Sequence, residues 1–556
     1  MDLQLPARRK TTSTSFNTRP DAVRLWVDEL PLINTEKSWL LLDDALEQIN
    51  SLSISTRDRL EVLELLTTSV ISVAEAMKKV FLAKPIPLRG QNLQLAKQAV
   101  TLCNRMATGY RILADDLGHD DSQASQLTVA IHRSLRYLSE ILLTNYQIYI
   151  HYPEGLWKTI NSLYALAEQH ELTDQPLTDA TLSTPAASTI STVYKQILLM
   201  SLACPYRLRQ KEIHFVYNAL MGLADTTRMH NLEHEQAQGL FMVNLNADKP
   251  PSYRALNGSG AVDRHCRTLD TTSMAKRIRD IQTRQPGNAS RYIGIGDTDI
   301  LQRLMLAWGV MPKRRFARHA KSAKVGLVVG LNAIHARVTG PGTGSTGSEE
   351  AIEDQHYLQD PTFEASTTFK TNPFDESGRR IVTTGKTPAQ QYSSEGTIDT
   401  PRVESWKMVN ISAGGYSLLW DSDDSSNARV GELVAIIELD NLGEGDWHLG
   451  VVRWMKGTSA YGLELGIQML SPSSQAVWAY VDESGILSGR KMQGILLPEI
   501  KVLKQQASLL LPTLPFRAGC LATLETAGIL ENIKLTQQLE NTGSFAQYHF
   551  STSIND

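Results

Sequence analysis

A short basic stretch, PKRRFARHAK at residues 312–321, holds the side chains best suited to bind an anion. Arg314 and Arg318 stand four residues apart, with Lys313 and Arg315 beside them. Two guanidinium groups can hold a phosphate through paired hydrogen bonds, and their flat faces can stack on a purine. The alternative is a solvated basic segment that leads into a strand, because short basic runs are common.

A second polar set lies further along the chain, in the stretch VNISAGGYSL. Asn410 and Ser412 are two residues apart, so a strand would present both on one face and point Ile411 to the core. The asparagine amide offers a donor and an acceptor to the edge of a base, and the serine adds a hydroxyl. Gly414 and Gly415 allow a positive φ and a close approach of a ligand to the backbone. The alternative is an ordinary Gly-Gly hairpin.

Together the two stretches resemble the PilZ domain, a bacterial receptor for cyclic di-GMP. The family pattern is R-x-x-x-R before the first barrel strand, followed by (D/N)-x-S-x-x-G on a later strand. Here the first motif runs from Arg314 to Arg318, and the second consists of Asn410, Ser412 and Gly415. The strand-like segments VGELVAI and GVVRWMKGTSAYGLELGIQML are also similar to the later strands of the family.

The resemblance implies cyclic di-GMP as a ligand, with no cofactor and no metal. The two arginines of the first motif would clamp phosphate and stack on guanine. The asparagine and serine of the second would bind the guanine edge, and its glycine would leave room. Lys313 and Arg315 are secondary candidates. Family members bind one nucleotide or an intercalated pair, and both stoichiometries stay open here. The resemblance covers residues 311–475 and departs from the family in the long segment between its motifs.

The overall composition indicates a large folded protein without a strong charge bias. Its 556 residues are too many for one core, so several domains are expected. The formal net charge of −4 argues against general coating of nucleic acid, and no specific nucleic acid is expected as a partner. Four scattered cysteines without a C-x-x-C pair fit a reducing compartment. No apolar run reaches the ~20 residues of a membrane span, and the N-terminus does not read as a signal peptide, so we expect a cytoplasmic protein.

Helical periodicity dominates residues 30–225, after a predicted flexible tail at residues 1–29. In STRDRLEVLELLTTSVISVAEAMKKVF, Ser55 or Thr56 can cap a helix, and apolar residues then recur at helical spacing. LTVAIHRSLRYLSEILLTNYQIYI predicts another long helix, and LTDQPLTDATLSTPAASTIS predicts a loop. We expect a stack of antiparallel helices without catalytic residues, which binds a protein partner or packs on the barrel.

The second half changes to strand patterns, so the fold class is multidomain α + β. Residues 226–310 read as a mixed α/β connecting segment. KVGLVVGLNAIHARV then places four apolar residues, from Val325 to Leu331, at the period of a strand. Further short strands predict an antiparallel PilZ-like β-barrel over 311–475. The polar segment 340–402 within it is predicted to be a disordered insertion. Residues 476–556 read as a C-terminal β-rich extension or a second β unit.

Two weaker patterns favour structural interpretations. HNLEH, from His230 to His234, fits an inverted zinc-peptidase pattern, but it lies among polar residues between elements, which favours a solvated turn. YIGIGDTD has only G-x-G of a phosphate loop and indicates a turn before a helix. The resemblance to the PilZ domain therefore implies a non-enzymatic cyclic di-GMP receptor. A non-binding PilZ-like scaffold is the alternative, and a nucleic-acid binder is less favoured.

Overall fold

A computed structural model shows the architecture of the protein. The residues that it describes are 5–12, 15–119, 121–179, 186–231, 239–254, 263–284, 298–309, 317–339, 402–439, 447–458, 462–481, 491–500 and 505–552.

Helices form most of the N-terminal half, as the periodicity predicts. They are α1 (Pro20–Asp28), α2 (Thr35–Ser51), α3 (Thr56–Phe81), α4 (Gly90–Leu117), α5 (Ala124–Gln147), α6 (Leu156–Gln169), α7 (Ile190–Leu202) and α8 (Gln210–Leu223). Two short strands, β1 (Leu177–Asp179) and β2 (Ala186–Ser188), pair between α6 and α7. Single 3-10 turns occur at Asp121–Gln123, Pro205–Arg207 and Ala224–Thr226.

Helix α3 follows the predicted pattern closely. Ser55 is its N-cap, because the Ser55 Oγ accepts a hydrogen bond from the Asp58 backbone N–H at 3.1 Å. Lys78 and Lys79 lie in the last turn, where positive charge opposes the negative end of the helix dipole. The apolar residues at helical spacing are buried, among them Leu63, Val70, Val73 and Met77.

Helix α1 corrects the prediction of a flexible tail over residues 1–29. Pro20 occupies the first turn, where its missing N–H costs nothing, and Val23 is fully buried against the helical core. The preceding segment is also attached, because the Arg9 backbone N–H donates to the Ser51 carbonyl at 2.8 Å and the Ser53 N–H donates to the Arg9 carbonyl at 2.8 Å. The polar composition of the tail gives no sign of these tertiary contacts.

The hairpin of β1 and β2 corrects the prediction of a simple loop between α6 and α7. Asp179 at the end of β1 is 1% exposed, and its carboxylate lies 3.3 Å from Arg133 and 3.0 Å from Arg136 of α5. The His132 Nε2 lies 3.0 Å from the Ser188 Oγ of β2. Burial lowers the pKa of His132 to about 3, so the two arginines supply the charge that offsets Asp179. These partners are remote in sequence, so a local pattern could not predict the hairpin.

A small antiparallel sheet with two helices connects the halves. Its strands are β3 (Arg228–Asn231), β4 (Phe241–Asn244), β5 (Ser252–Tyr253) and β6 (Cys266–Asp270), in the order β3-β6-β4-β5. The helices are α9 (Thr272–Arg284) and α10 (Thr298–Gly309). The Trp308 indole N–H of α10 donates to the Leu199 carbonyl of α7 at 3.0 Å and so ties this unit to the helices.

The predicted antiparallel barrel follows and is closed. Its elements are β7 (His319–Val329), α11 (Leu331–Thr339), β8 (Glu404–Ser412), β9 (Gly415–Trp420), β10 (Leu433–Glu438), β11 (His448–Gly457) and β12 (Leu463–Ser471). The strand order is β10-β11-β12-β9-β8-β7, and every pairing is antiparallel. Residues 340–401 of the predicted disordered insertion lie outside the described residues, so that expectation stays a prediction.

The end of the first barrel strand differs from the prediction. The alternation predicts Leu331 on the strand, but Gly330 with φ +94° ends β7 and Leu331 begins α11. Leu331, Ile334 and His335 then lie on the buried side of this helix. The stretch LNAIHARV fits a helical spacing as well as the alternation of a strand. It forms a helix because that spacing buries its apolar side between the two β-barrels.

The C-terminal part is a second closed barrel and not an extension of the first. Its strands are β13 (Gln475–Val481), β14 (Met492–Leu497), β15 (Ser508–Leu511), β16 (Leu521–Thr526), β17 (Ile529–Asn541) and β18 (Ala546–Ser551). They close in the order β13-β14-β15-β18-β17-β16.

The three main units share buried contacts. One apolar core runs from the helices into the interior of the first barrel, and another joins that barrel, α11 and the second barrel. Arg209, just before α8, touches both barrels. Its Nε donates to the Val430 carbonyl at 3.0 Å, and its Nη2 donates to the Ser544 Oγ at 3.0 Å.

Candidate ligand-binding site

Arg318, the described end of the first motif, comes directly before β7, and Asn410 and Ser412 of the second motif lie on β8. β7 pairs with β8, and His319 at the start of β7 is opposite Ile411. One more step in this register sets Arg318 opposite Ser412. The long stretch of chain between the two strands therefore does not separate Arg318 from the second motif in space.

An extra residue in β8 decides which of its side chains face outward. Met408 is buried inside the barrel, and the register shifts before Asn410, at Val409, which is 36% exposed. Beyond this bulge Ile411 packs against the core. Asn410 and Ser412 consequently lie on the outer face, as their spacing predicts.

The described motif residues have few partners within the protein. Arg318 is exposed and forms no ion pair with any residue that the structure describes. The Asn410 side chain is half-buried and makes no hydrogen bond within the same part of the chain. The Ser412 Oγ donates to the Gly415 carbonyl at 3.3 Å. Three predicted site residues lie outside the described residues: Lys313, Arg314 and Arg315.

Gly415 has a structural reason to be glycine. Its φ is +148°, and a Cβ there would lie 1.9 Å from the Ile467 carbonyl oxygen of β12. Any larger residue would push β9 and β12 apart. The predicted role of Gly415 in leaving room for a ligand stays a prediction.

A row of small residues extends the outer face on both sides of Asn410. Asn410 pairs with Ala320 of β7 and with Ser417 of β9, and Ser417 pairs with Gly466 of β12. Trp454 of β11 is paired with Gly466, and its indole covers that glycine, because a Cβ there would lie 2.0 Å from the indole nitrogen. Ser417 and Gly466 are buried, whereas Asn410 is half-buried and Ala320 is exposed, so the accessible end of the row lies at β7 and β8.

A carboxylate outside both motifs borders this row. Ser417 is 4% exposed, and its Oγ donates to the Glu464 Oε1 at 2.6 Å. Leu463, Leu465 and Ile467 are buried, so Glu464 lies on the outer face of β12. The alternation in LELGIQ predicts that orientation, but it cannot show that β12 lies beside β9.

The weaker motifs of the sequence gain no support. His230 lies in β3 opposite Thr268, and Glu233 and His234 are outside the described residues. No group of three or more His, Cys, Asp or Glu residues in the described ranges could hold a metal ion. The helix predicted after YIGIGDTD begins at Thr298. Among the helices that the structure describes, we find none with the length and apolar character of a membrane span.

Three consecutive parts of the chain match domains of one receptor. Residues 21–235 match the N-terminal domain of the cyclic-di-GMP receptor FimW, and residues 483–553 match its C-terminal β-barrel domain. Residues 240–476, which include β7 to β12, match its middle PilZ domain. Residues 240–476 are a PilZ domain. The resemblance seen in the two motifs is thereby confirmed.

This PilZ-domain protein is similar to a curated relative along its whole length. The cyclic-di-GMP receptor FimW of Pseudomonas aeruginosa is 25% identical to it over an alignment of 581 positions, which covers 100% of this chain and 94% of the relative. The similarity therefore extends beyond the PilZ barrel to the helical region and the C-terminal barrel.

Proposed function

We propose that this protein is a receptor for cyclic di-GMP. The observation that carries the proposal is the pairing of β7 with β8, which sets Arg318 beside Asn410 and Ser412 on the outer face of the barrel. The matching middle domain belongs to a receptor described as binding this dinucleotide. The function is binding and not catalysis.

The proposed contacts follow the chemistry of the ligand, which carries two phosphates and two guanines. Arg314 and Arg318 hold phosphate and stack on guanine, and Lys313 and Arg315 add positive charge. The free amide of Asn410 meets the guanine edge. Ser412 adds a hydroxyl and Gly415 leaves room for the ligand, as the resemblance implies. Arg318 and Asn410 have no competing partner in the described part of the chain, so the ligand need not displace one.

The proposed signal is a change in how the PilZ barrel sits against the helices, which then act on a protein partner. The ligand binds the basic stretch 312–321, whose last three residues form the start of β7. The barrel and the helices meet partly through polar contacts: the Arg89 Nη2 donates to the Ser422 carbonyl at 2.7 Å, and the Ser425 Oγ donates to the Pro87 carbonyl at 2.9 Å. Such hydrogen bonds can be exchanged at low cost when a ligand favours one arrangement.

The proposed location is the cytoplasm. All four cysteines are free thiols, which suits a reducing compartment.

Titration calorimetry of the full-length protein with cyclic di-GMP tests the proposal. The wild type should bind, and Arg318→Ala should lower the affinity by about ten- to a hundredfold, because a hydrogen bond to a charged group contributes roughly 1.5–3 kcal/mol. Lys324→Ala is the matched control, since Lys324 is an exposed cation further along β7, and it should change the affinity little. Equal losses in both variants would indicate a nonspecific basic patch. No binding by the wild type would favour the alternative function, a non-binding PilZ-like scaffold.

A further inference from the structure

We propose that Glu464 reads the guanine base and makes the site selective for guanine, an inference that rests on the proposed function. Glu464 lies outside both sequence motifs. It borders the row of small residues formed by Ala320, Asn410, Ser417 and Gly466 on the outer face of the barrel.

The carboxylate of Glu464 is held in place but only partly used. The Ser417 Oγ, itself buried, donates to the Glu464 Oε1 at 2.6 Å and fixes the carboxylate beside the row. The Oε2 makes no hydrogen bond or ion pair with any residue in the described ranges. One carboxylate oxygen is therefore oriented and the other is available to a ligand.

The edge of guanine needs what Asn410 alone cannot supply. Guanine presents two adjacent donors, N1–H and the N2 amino group, next to the O6 acceptor. An amide has one acceptor oxygen, whereas a carboxylate has two and takes hydrogen bonds of higher strength. Asn410 and Glu464 together can match the acceptor and both donors. Adenine presents an unprotonated N1 at the same place, so the carboxylate disfavours it.

The charge of Glu464 is otherwise unexplained at a site for a dianion. Lys456 is its cross-strand neighbour on β11, but no ion pair joins the two. A carboxylate that did not bind ligand donors would repel the phosphates of cyclic di-GMP. The two possible roles of Glu464 therefore predict opposite effects of neutralising it.

The test compares three dinucleotides in titration calorimetry with the full-length protein: cyclic di-GMP, cyclic di-IMP, which lacks the N2 amino group, and cyclic di-AMP. The wild type should prefer cyclic di-GMP to cyclic di-IMP by about tenfold or more, because one charge-assisted hydrogen bond is lost. Glu464→Gln should weaken cyclic di-GMP binding by about ten- to a hundredfold and cyclic di-IMP binding by less, so the preference shrinks. Glu531→Gln, an exposed change on the second barrel, should leave both affinities unchanged.

The outcomes separate the inference from the function on which it rests. If Glu464→Gln binds cyclic di-GMP as well as the wild type or better, or keeps the full preference over cyclic di-IMP, the inference is wrong and the receptor function stands. If the wild type binds none of the three dinucleotides, the receptor function fails and the inference fails with it. An unchanged melting temperature of Glu464→Gln shows that a loss of affinity is not a loss of fold.

Discussion

At the scale of single residues, the site differs from the rest of the protein in how its polar groups are satisfied. The buried carboxylate of Asp179 has two arginine partners, and the buried Tyr194 hydroxyl donates to the Asn161 side chain at 2.8 Å. Arg318 and Asn410, by contrast, have no such partner among the described residues. Polar groups that are not needed for the fold are the ones that can recognise a ligand.

Replacement of Asn410 by alanine tests whether this polar group serves the ligand and not the fold. Because Asn410 makes neutral hydrogen bonds, Asn410→Ala should lower the affinity for cyclic di-GMP by less than Arg318→Ala, about two- to tenfold for a bond of ~0.5–1.5 kcal/mol. It should also erode the preference for cyclic di-GMP over cyclic di-AMP. Competition binding measures both effects, with Asn218→Ala on α8 as a control. A loss larger than that of Arg318→Ala would contradict the assigned roles.

At the scale of elements, the site depends on how closely β8, β9 and β12 approach one another. Gly415 makes the β9–β12 contact possible, since the Ile467 carbonyl lies where a Cβ would be. The bulge at Val409 turns Asn410 outward while Met408 stays inside. Strand geometry thus positions the motif before any ligand is present.

Substitution of Gly415 distinguishes the energetic cost of disturbing this close contact from the cost of backbone strain. Gly415→Ala should destabilise the barrel by more than Gly519→Ala, because Gly519 also has a positive φ of +87° but has no heavy atom within 4 Å of its Cβ position. Gly519→Ala should lower the free energy of unfolding by about 1 kcal/mol through backbone strain alone, and Gly415→Ala should lower it clearly more. Chemical denaturation of the two variants gives the difference. Equal costs would show that the β9–β12 contact can relax.

The sequence predicts the strands of the site better than it predicts which other elements lie beside them. The spacing of Asn410 and Ser412 gave their common face correctly, because alternation is a local property of a strand. The helix that starts at Leu331 was missed, because its stretch also alternates and only burial between two barrels decides between the patterns. Glu464 was missed as well, because its place beside Ser417 depends on the order of strands in the closed barrel. Local patterns carry no information on that order.

At the scale of the whole molecule, Arg209 connects the helices with both barrels. It contacts Val430 and Gly431 of the PilZ barrel and Ser544 of the second barrel. A Cβ at Gly431 would lie 2.7 Å from its Nη2, and one at Gly543 would lie 2.6 Å from its Nη1, so two glycines make room for this guanidinium. A shift of the PilZ barrel on ligand binding would therefore change the contacts of both other units.

Removal of this side chain should loosen the contact between the units. Arg209→Ala should lower the free energy of unfolding by about 1.5–3 kcal/mol, the range for hydrogen bonds to a charged group, and broaden the unfolding transition. Lys211→Ala, an exposed change in the first turn of α8, should have little effect. Differential scanning calorimetry measures both. A transition as sharp and as high as that of the wild type would show that the apolar cores alone hold the units together.

Hydrogen–deuterium exchange of the full-length protein with and without cyclic di-GMP tests the central claim most directly, because it reports binding and its location together. We expect the ligand to slow exchange in residues 312–321 and in β8 and β9 around Asn410 and Ser412, with smaller changes where the PilZ barrel meets the helices. Protection confined to other parts of the chain, or no change at saturating dinucleotide, would contradict a cyclic di-GMP site at the junction of β7 and β8.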